Sequence, residues 1–367
     1  MRILLLSHTL NPWTKHYARF FRDRGDDLLV VSFTAHEIGD IGFQFIGVDP
    51  WDKYGNKHIY FTRVPRLRRI IKRFAPEVIY APFVASNGLS AVLAWNGPIV
   101  TSARGGDVLE QIGRTGLRKV LRETLVKFVC KRCAAVQSVS QEIEDELIRL
   151  GVPRSKLFQI PVGVDSRKFC PAADMPRATA GRFICVRRHE PIYDNVTVVE
   201  ALARLKAAGR QFRCVFASDG TMLNALKERA RSLGLWDWLT FTGELPHDQV
   251  PELFRQQDIY ISASLSDGTS SALLEGMASG LLPVVTRIPA NLPWIEHGRT
   301  GLLFEPRSVE QLTEMLVRAM DDAELRRAGF ARNRRRVEQD GDMFTNMAKL
   351  AAVLESVAAS AGRPKKM

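Results

Sequence analysis

The chain has 367 residues, 46% of them hydrophobic and 25% charged. That length exceeds one ordinary core and suits two α/β domains, and the composition is that of a globular protein rather than a disordered or fibrous one. The formal net charge of +12 favours anionic partners, but there is no zinc finger, no RNP aromatic pattern and no basic zipper, so nucleic acid is not expected.

The run Ile3-Leu4-Leu5-Leu6 is cut off by Ser7-His8, well short of a secretory h-region. No stretch approaches the roughly 20 apolar residues of a membrane span. Both features point to a cytoplasmic protein. Cys130 and Cys133 form a lone CxxC in a helical pattern, with no second pair to complete a zinc site. They read as helical thiols, and Cys185 and Cys214 read as core. Only the tail Gly362–Met367 reads as disordered.

Strand-like and helical patterns alternate along the first half. Strands are predicted over Arg2–Ser7, Leu28–Phe33, Glu77–Ala81, Ile99–Ser102, Ala134–Val139 and Phe158–Pro161. Helices fall between them at Lys15–Arg24, Pro65–Phe74, Gly116–Arg132 and Gln141–Leu150. Such an order implies a parallel sheet with helices on both faces. The rhythm breaks at Val162–Pro171, and Pro171–Gly181 is rich in Ala and Pro, which sets a domain boundary and a hinge. The alternation then restarts, with strands over Phe183–Arg187, Phe212–Ala217, Leu239–Phe241, Ile259–Ser262 and Pro283–Thr286. Helices are predicted over Val196–Ala208, Met222–Leu233, Gln249–Gln256 and Ala272–Ser279. The expected domains are 1–165 and 166–343, with a last apolar helix near 344–360 that packs on either of them.

The most informative stretch is Ser264-Leu265-Ser266-Asp267-Gly268-Thr269-Ser270-Ser271-Ala272-Leu273-Leu274-Glu275. A strand ends, a polar loop follows, and a helix starts near Ser270 or Ser271, where serine is a good N-cap. Gly268 lets backbone approach a ligand. The amides of Thr269 to Ala272 and the helix dipole suit a pyrophosphate. Glu275 lies one turn in, on the face of Ser271, and leans toward the ligand end. A carboxylate there can accept both hydrogen bonds of a vicinal diol such as a ribose. Gly276, Ala278, Ser279 and Gly280 make a slim helix that Gly280 can end.

From Asp267 to Glu275 and on through Gly276-Met277-Ala278-Ser279-Gly280-Leu281-Leu282-Pro283-Val284-Val285, the chain resembles the signature of glycosyltransferase family four. Ser138–Gln141, Leu150–Pro153, Ile160–Asp165 with Phe169-Cys170-Pro171, Phe241-Thr242-Gly243, and Trp294–Leu303 resemble further motifs of that family. The resemblance implies a GT-B fold, α/β, with two facing Rossmann-like doubly wound domains: an acceptor side first and a nucleotide-sugar side second. It implies that Glu275 holds the donor ribose and that Asp267 contacts the donor sugar. The amides of Gly268, Thr269, Ser270 and Ser271 would meet diphosphate and sugar, and Gly243 the nucleobase. Arg187 or Arg188 would neutralise the leaving phosphate, for which a guanidinium fork is suited. It further implies retention of configuration, no metal and no cofactor beyond the nucleotide-sugar co-substrate, with a uridine diphosphate donor as the expectation from family frequency.

The sequence departs from the family in three places. Asp267 is shorter than the usual Glu. No Lys follows the arginines in His189-Glu190-Pro191-Ile192-Tyr193-Asp194-Asn195. Arg104 stands where many relatives carry His, beside Gly105-Gly106-Asp107, and is a catalytic candidate. Asp107 is either a helix cap or a site residue. The first loop, Ser7–Pro12, lacks paired glycines; His8 and Asn11 are its acceptor-side candidates.

Arg63, Arg66, Arg68, Arg69, Lys72 and Arg73 crowd one predicted helix, and Arg114–Arg132 carries a second basic set. Their apolar faces should pack on the sheet, leaving solvated charge that can also dock on anionic lipid. The reading is therefore a transferase acting on a cell-envelope glycan or lipid-linked acceptor, such as those of lipopolysaccharide, either free in the cytoplasm or peripheral on the membrane. A GT-B sugar-nucleotide epimerase and a non-catalytic assembly subunit are the alternatives. No strand opens into G-x-G-x-x-G, which disfavours a nicotinamide oxidoreductase.

Overall fold

The computed structural model describes residues 1–48, 56–106, 108–109, 116–175, 180–246 and 248–361. The expectations for Asp107, Arg114, residues 176–179 and the tail 362–367 lie outside the described residues. The chain divides into two compact units, Met1–Pro161 with the stretch from Asn346 onward, and Val162–Thr345.

The first unit is built on β1 (Arg2–Leu6), β2 (Asp27–Ser32), β3 (Gln44–Phe45), β4 (Val78–Pro82), β5 (Ile99–Ala103), β6 (Ala135–Ser138) and β7 (Leu157–Gln159). Among the described residues these form one seven-stranded sheet in the order β3-β2-β1-β4-β5-β6-β7, with every pairing parallel. Ile3, Leu4, Leu5 and Leu6 are all fully buried, as a strand covered on both faces requires. The covering helices are α1 (Pro12–Asp23), α2 (Ile59–Thr62), α3 (Val64–Phe74), α4 (Leu89–Ala94), α5 (Leu117–Arg132) and α6 (Gln141–Arg149). Asn11 caps α1 by accepting from Trp13 N, and Ser140 caps α6 by accepting from Ile143 N.

The second unit holds β8 (Arg182–Cys185), β9 (Arg213–Phe216), β10 (Leu239–Phe241), β11 (Ile259–Ser262), β12 (Leu282–Thr286) and β13 (Leu302–Phe304). Their order is β10-β9-β8-β11-β12-β13, again parallel throughout. The helices are α7 (Asn195–Ala207), α8 (Leu223–Ser232), α9 (Val250–Arg255), α10 (Ser271–Ala278), α11 (Val309–Asp321) and α12 (Ala323–Arg336). Side chains alternate between two cores. Phe183, Cys185, Ile259, Ile261, Val284 and Leu302 pack with Val198, Leu202, Leu312 and Leu316. Ile184, Tyr260, Val285 and Leu303 point the other way, onto Phe254, Leu273, Leu274 and Met277. Both faces being dry explains why the strands read as continuous apolar runs.

The final helix, α13 (Met343–Ala361), starts in the second unit and from Asn346 belongs to the first, where Glu355 meets Arg24 at 2.6 Å. Each unit is a doubly wound, Rossmann-like sheet. The strand order reverses between β1 and β4 in one and between β8 and β11 in the other. Crevices beyond the carboxyl ends of strands at such switch points are where open parallel sheets take ligands.

Two features differ from the expectation. The two-residue strand β3 and the helices α2, α4, α11 and α12 are not among the expected elements: β3, α2 and α4 are too short to show a period, and α12 is dominated by arginine. The basic helix α5 does not put only charge outward, since Leu117, Val120 and Leu121 are 72%, 57% and 60% exposed. The CxxC thiols form no disulfide: Cys130 lies within α5 as expected, Cys133 stands at its end, both are buried, and burial pushes the Cys133 thiol up to about 12.

Candidate functional site

At the switch point of the second unit, three loops interlock. The loop after β8 is tied to the loop after β9 by His189 N to Asp219 O, 3.0 Å, and Met222 N to His189 O, 2.8 Å. Leu265 N donates to Ile192 O at 2.8 Å, which binds the loop after β11 to the same segment. Thr221 donates through its amide and its hydroxyl to the Glu190 carboxylate, 3.2 and 2.6 Å away.

Arg187 sits at the centre. Its Nη2 lies 2.7 Å from Asp267 Oδ2, and its Nη1 donates to Ser270 Oγ at 3.2 Å. The guanidinium carbon stands 4.2 Å from the Tyr193 ring centroid, a close cation–π contact. Arg187 Nε is buried with no hydrogen-bond partner among the described residues. A buried donor left open in an otherwise saturated cluster is what an anion-receiving site looks like.

Asp267 is engaged on both oxygens: Oδ1 accepts from Gly268 N at 2.9 Å while Oδ2 holds Arg187. The Gly268 amide is therefore already satisfied. Ser270 is the N-cap of α10, accepting from Leu273 N at 3.2 Å. With Thr269 and Ser271 it stands at the positive end of the α10 dipole. Glu275 lies one turn in, half-buried. Burial raises its carboxyl to about 7, against the pull of Arg187 in the other direction.

The slim face of α10 is used against β11. A Cβ added to Gly276 would come within 3.1 Å of the Tyr260 side chain. At the far end Gly280 takes a φ of +85°, while Leu281 N donates to Gly276 O and Gly280 N to Met277 O, a Schellman-type stop.

Arg188 points elsewhere. It is 58% exposed and 3.9 Å from Glu190. Gly243, at φ +71°, follows β10, where Phe241 stacks on Phe216 with centroids 5.1 Å apart. Residues not singled out from sequence complete the frame. Asn195 Nδ2 donates to Arg187 O and Arg188 O and lies 2.8 Å from His189 Nδ1, and its Oδ1 accepts from Cys185 Sγ. Asn195 thus pins the backbone that carries Arg187; its place as first residue of a helix after a polar loop was the only available sign.

In the first unit, His8 and Arg104 follow the carboxyl ends of β1 and β5. His8 meets the Tyr60 hydroxyl at 2.8 Å. Arg104 donates to Ser102 Oγ, Tyr17 OH and Tyr80 OH. Asn11 is occupied as the α1 cap, and Asp107 lies outside the described residues.

The chain matches two family models: Glycosyltransferase Family 4 over residues 13–168 and Glycosyl transferases group 1 over residues 176–336. This chain belongs to glycosyltransferase family 4. Over 215 residues, 53% of the chain, it is 27% identical to mannosylfructose-phosphate synthase of Agrobacterium fabrum, and the match spans 46% of that protein's own length. It is 25% identical to a GDP-mannose-dependent alpha-(1-6)-phosphatidylinositol monomannoside mannosyltransferase of Mycobacterium tuberculosis, over 79% of the chain and 78% of that protein. Among solved structures, Anabaena Alr3699/HepE in complex with UDP and glucose superposes with a TM-score of 0.80 at 18% identity, covering 97% of this chain and all (100%) of that one. The fold of the family-4 chain is thus GT-B.

Proposed function

We propose that this protein transfers a sugar from a nucleoside-diphosphate sugar to a hydroxyl of a cell-envelope glycan or lipid-linked acceptor, with retention of configuration. The observation that carries the reading is Arg187 held by Asp267 and Ser270 at the N-terminus of α10, one helical turn from the Glu275 carboxylate. Relatives whose names include a phosphatidylinositol mannoside acceptor and a UDP complex support both ends of it.

In this reading Glu275 accepts the ribose hydroxyls and the loop at Phe241–Gly243 meets the base. Arg187 and the amides at Thr269, Ser270 and Ser271 receive the diphosphate. Arg188, being exposed, is left to draw the anion in rather than to grip it. The bond from sugar C1 to the diphosphate oxygen breaks, and its electron pair stays with that oxygen. The charge that develops there is met by Arg187 and the helix end, a preorganised array that needs no rearrangement at the moment of reaction. The acceptor oxygen attacks C1 on the same face, and its proton passes to the departing phosphate. Asp267, with both oxygens engaged, orients Arg187. No metal is required by this scheme, so a chelator should leave the rate unchanged. The basic faces of α3 and α5 suit a peripheral position on an anionic membrane.

The test is a thermal-shift screen of uridine, guanosine and adenosine diphosphates and their sugars, run beside Glu275→Ala. A ligand at 100 times its dissociation constant stabilises by about 2.7 kcal/mol. One nucleotide should shift the wild type and not the variant. No shift with any nucleotide on folded protein would overturn the donor-site reading.

A further inference from the structure

The helices α3 and α4 pack on each other and end just before β4 and β5 begin. Their ends therefore lie at the amino edge of the first sheet, opposite the carboxyl ends that His8 and Arg104 follow. Between them is a cleft of about 440 Å³. Much of its lining is apolar, from Ile71, Pro76, Ala94 and the Trp95 indole. The indole lies over Gly97, where an added Cβ would run into the ring. Bare backbone thus supports the ring, and Trp95 stays half-buried with part of its surface open to the cleft.

The rest of the lining is cationic. Arg68 Nη2 donates to Leu93 O at 2.7 Å, which ties α3 to the end of α4 and sets the place of the guanidinium. That bond uses one of its five N–H donors, and Arg68 makes no other hydrogen bond or ion pair. Lys72 stands one turn along the same helix face and has no such partner. The surroundings carry the same sign. From Lys53 to Gly106 the chain holds nine Lys or Arg and one acidic residue, Glu77. The Glu77 carboxylate accepts from Arg2 N at 2.6 Å. Arg66, Arg69 and Arg73 share α3 with Arg68 and Lys72, and none of the five forms an ion pair among the described residues. Like charges four residues apart repel, as in Arg68 with Lys72 and Arg69 with Arg73, so a bound anion would relieve this helix.

We propose that this cleft binds a phosphate monoester, with the phosphate on Arg68 and Lys72 and the organic part against Trp95 and Ile71. A guanidinium fork and a neighbouring ammonium suit the two charges of a monoester better than the single charge of a carboxylate. The aromatic and aliphatic lining suits a body with an apolar face. The ester can come from solution, as a sugar phosphate, or from a membrane, as the headgroup of phosphatidic acid; the group received is the same. The site lies apart from the donor site and does not rest on the transferase reading.

The experiment uses the full chain, above the second phosphate pKa of about 6. Glucose 6-phosphate, inorganic phosphate and methyl glucoside are titrated by calorimetry or ligand-observed NMR into wild type, Lys72→Gln, Arg68→Gln and Trp95→Leu. Sedimentation is measured on the same proteins with phosphatidylcholine vesicles, with and without phosphatidic acid. Binding of glucose 6-phosphate marks a soluble source, and sedimentation that depends on phosphatidic acid marks a lipid one. Whichever binds, Lys72→Gln and Arg68→Gln should each weaken it about tenfold, the order of one charge-assisted pair. Trp95→Leu should weaken the ester and leave inorganic phosphate unchanged, and methyl glucoside should not bind. Lys72 has no partner to lose, so Lys72→Gln should melt as wild type does; should Arg68→Gln not fold, Lys72→Gln and Trp95→Leu decide. No binding of either source, or binding that Lys72→Gln or Trp95→Leu leaves undiminished, would overturn the proposal. Nucleotide binding should be equal in all four proteins; its absence from wild type would count against the transferase reading and not against this cleft.

Discussion

Asp267 Oδ2 lies 2.7 Å from Arg187 Nη2, in a site where both side chains are largely covered. The pair joins the end of β8 to the loop before α10, so the shorter carboxylate reaches the arginine and not open solvent. If Asp267 acts through Arg187, the two substitutions do not add. Arg187→Ala should lower kcat by about 10²–10³-fold, as loss of one donor to a developing oxyanion does. Asp267→Asn should lower it by less, and the double variant should match Arg187→Ala. Additive losses in the double-mutant cycle would show that Asp267 contacts the donor directly.

The raised Glu275 carboxyl predicts a pH effect with a definite sign. Below about 7 the group is protonated and can accept only part of what a ribose diol offers. Donor affinity should therefore rise as pH climbs through this value and level off above it, and binding near pH 7 should release a proton. For folding the sign is reversed. A carboxyl held above its ordinary value takes up a proton on folding between the ordinary range and about 7, so its contribution to stability falls as pH rises through that window. Calorimetry of a nucleotide sugar in buffers of different ionisation enthalpy would detect the proton, and Glu275→Gln should flatten the profile.

Ser270 does two jobs, capping α10 and holding Arg187. Ser270→Ala should cost about 1 kcal/mol in stability, the usual loss of an N-cap. Its loss of activity should exceed what that destabilisation explains. Ser270→Thr should restore the melt and most of the rate; a variant that melts lower but turns over normally would separate the two jobs and discard the second.

Gly280→Ala tests the stop of the same helix. At φ +85° an alanine costs about 1–2 kcal/mol. Its Cβ would also fall 2.5 Å from the Phe330 ring. The measured fall in unfolding free energy should exceed the backbone cost alone, and Phe330→Leu in the same chain should recover the excess.

The half-exposed start of α5 bears on membranes. Leu117, Val120 and Leu121 stand out among basic neighbours, while α3 buries Val64, Leu67 and Ile71 and shows its arginines. Co-sedimentation with anionic vesicles at low salt should fall on Leu117→Ser with Leu121→Ser, and also on removal of the Arg63–Arg73 charges. Unchanged sedimentation in both sets would end the idea of a peripheral position.

The sheets were readable because both faces of each strand are dry. Ile3–Leu6 and Ile259–Ser262 show it as unbroken apolar runs ended by polar loops. Ser270 and Gly280 could be read as cap and stop because their chemistry is local. What stayed hidden depends on tertiary geometry. Two adjacent arginines leave β8, and sequence alone does not say that Arg187 turns inward over Tyr193 while Arg188 turns out to Glu190. Nor does it show that Asn195 clamps the backbone between them, or that Arg104 lies between two rings from residues 17 and 83. Those partners are distant in the chain, and no period or spacing reports them.

The tight fit of Gly276 beneath Tyr260 implies a particular pattern of tolerance. Position 276 touches no proposed ligand group, yet a side chain there meets Tyr260 at 3.1 Å, so either that ring or the helix that carries Ser270, Ser271 and Glu275 has to give by a few tenths of an ångström. In a saturation library scored for turnover, this column should be nearly as empty as those of the contacting residues. Scored for abundance alone, it should keep its smallest substitutions. The distance between the two scores would measure how finely the depth of one helix sets the aim of one carboxylate.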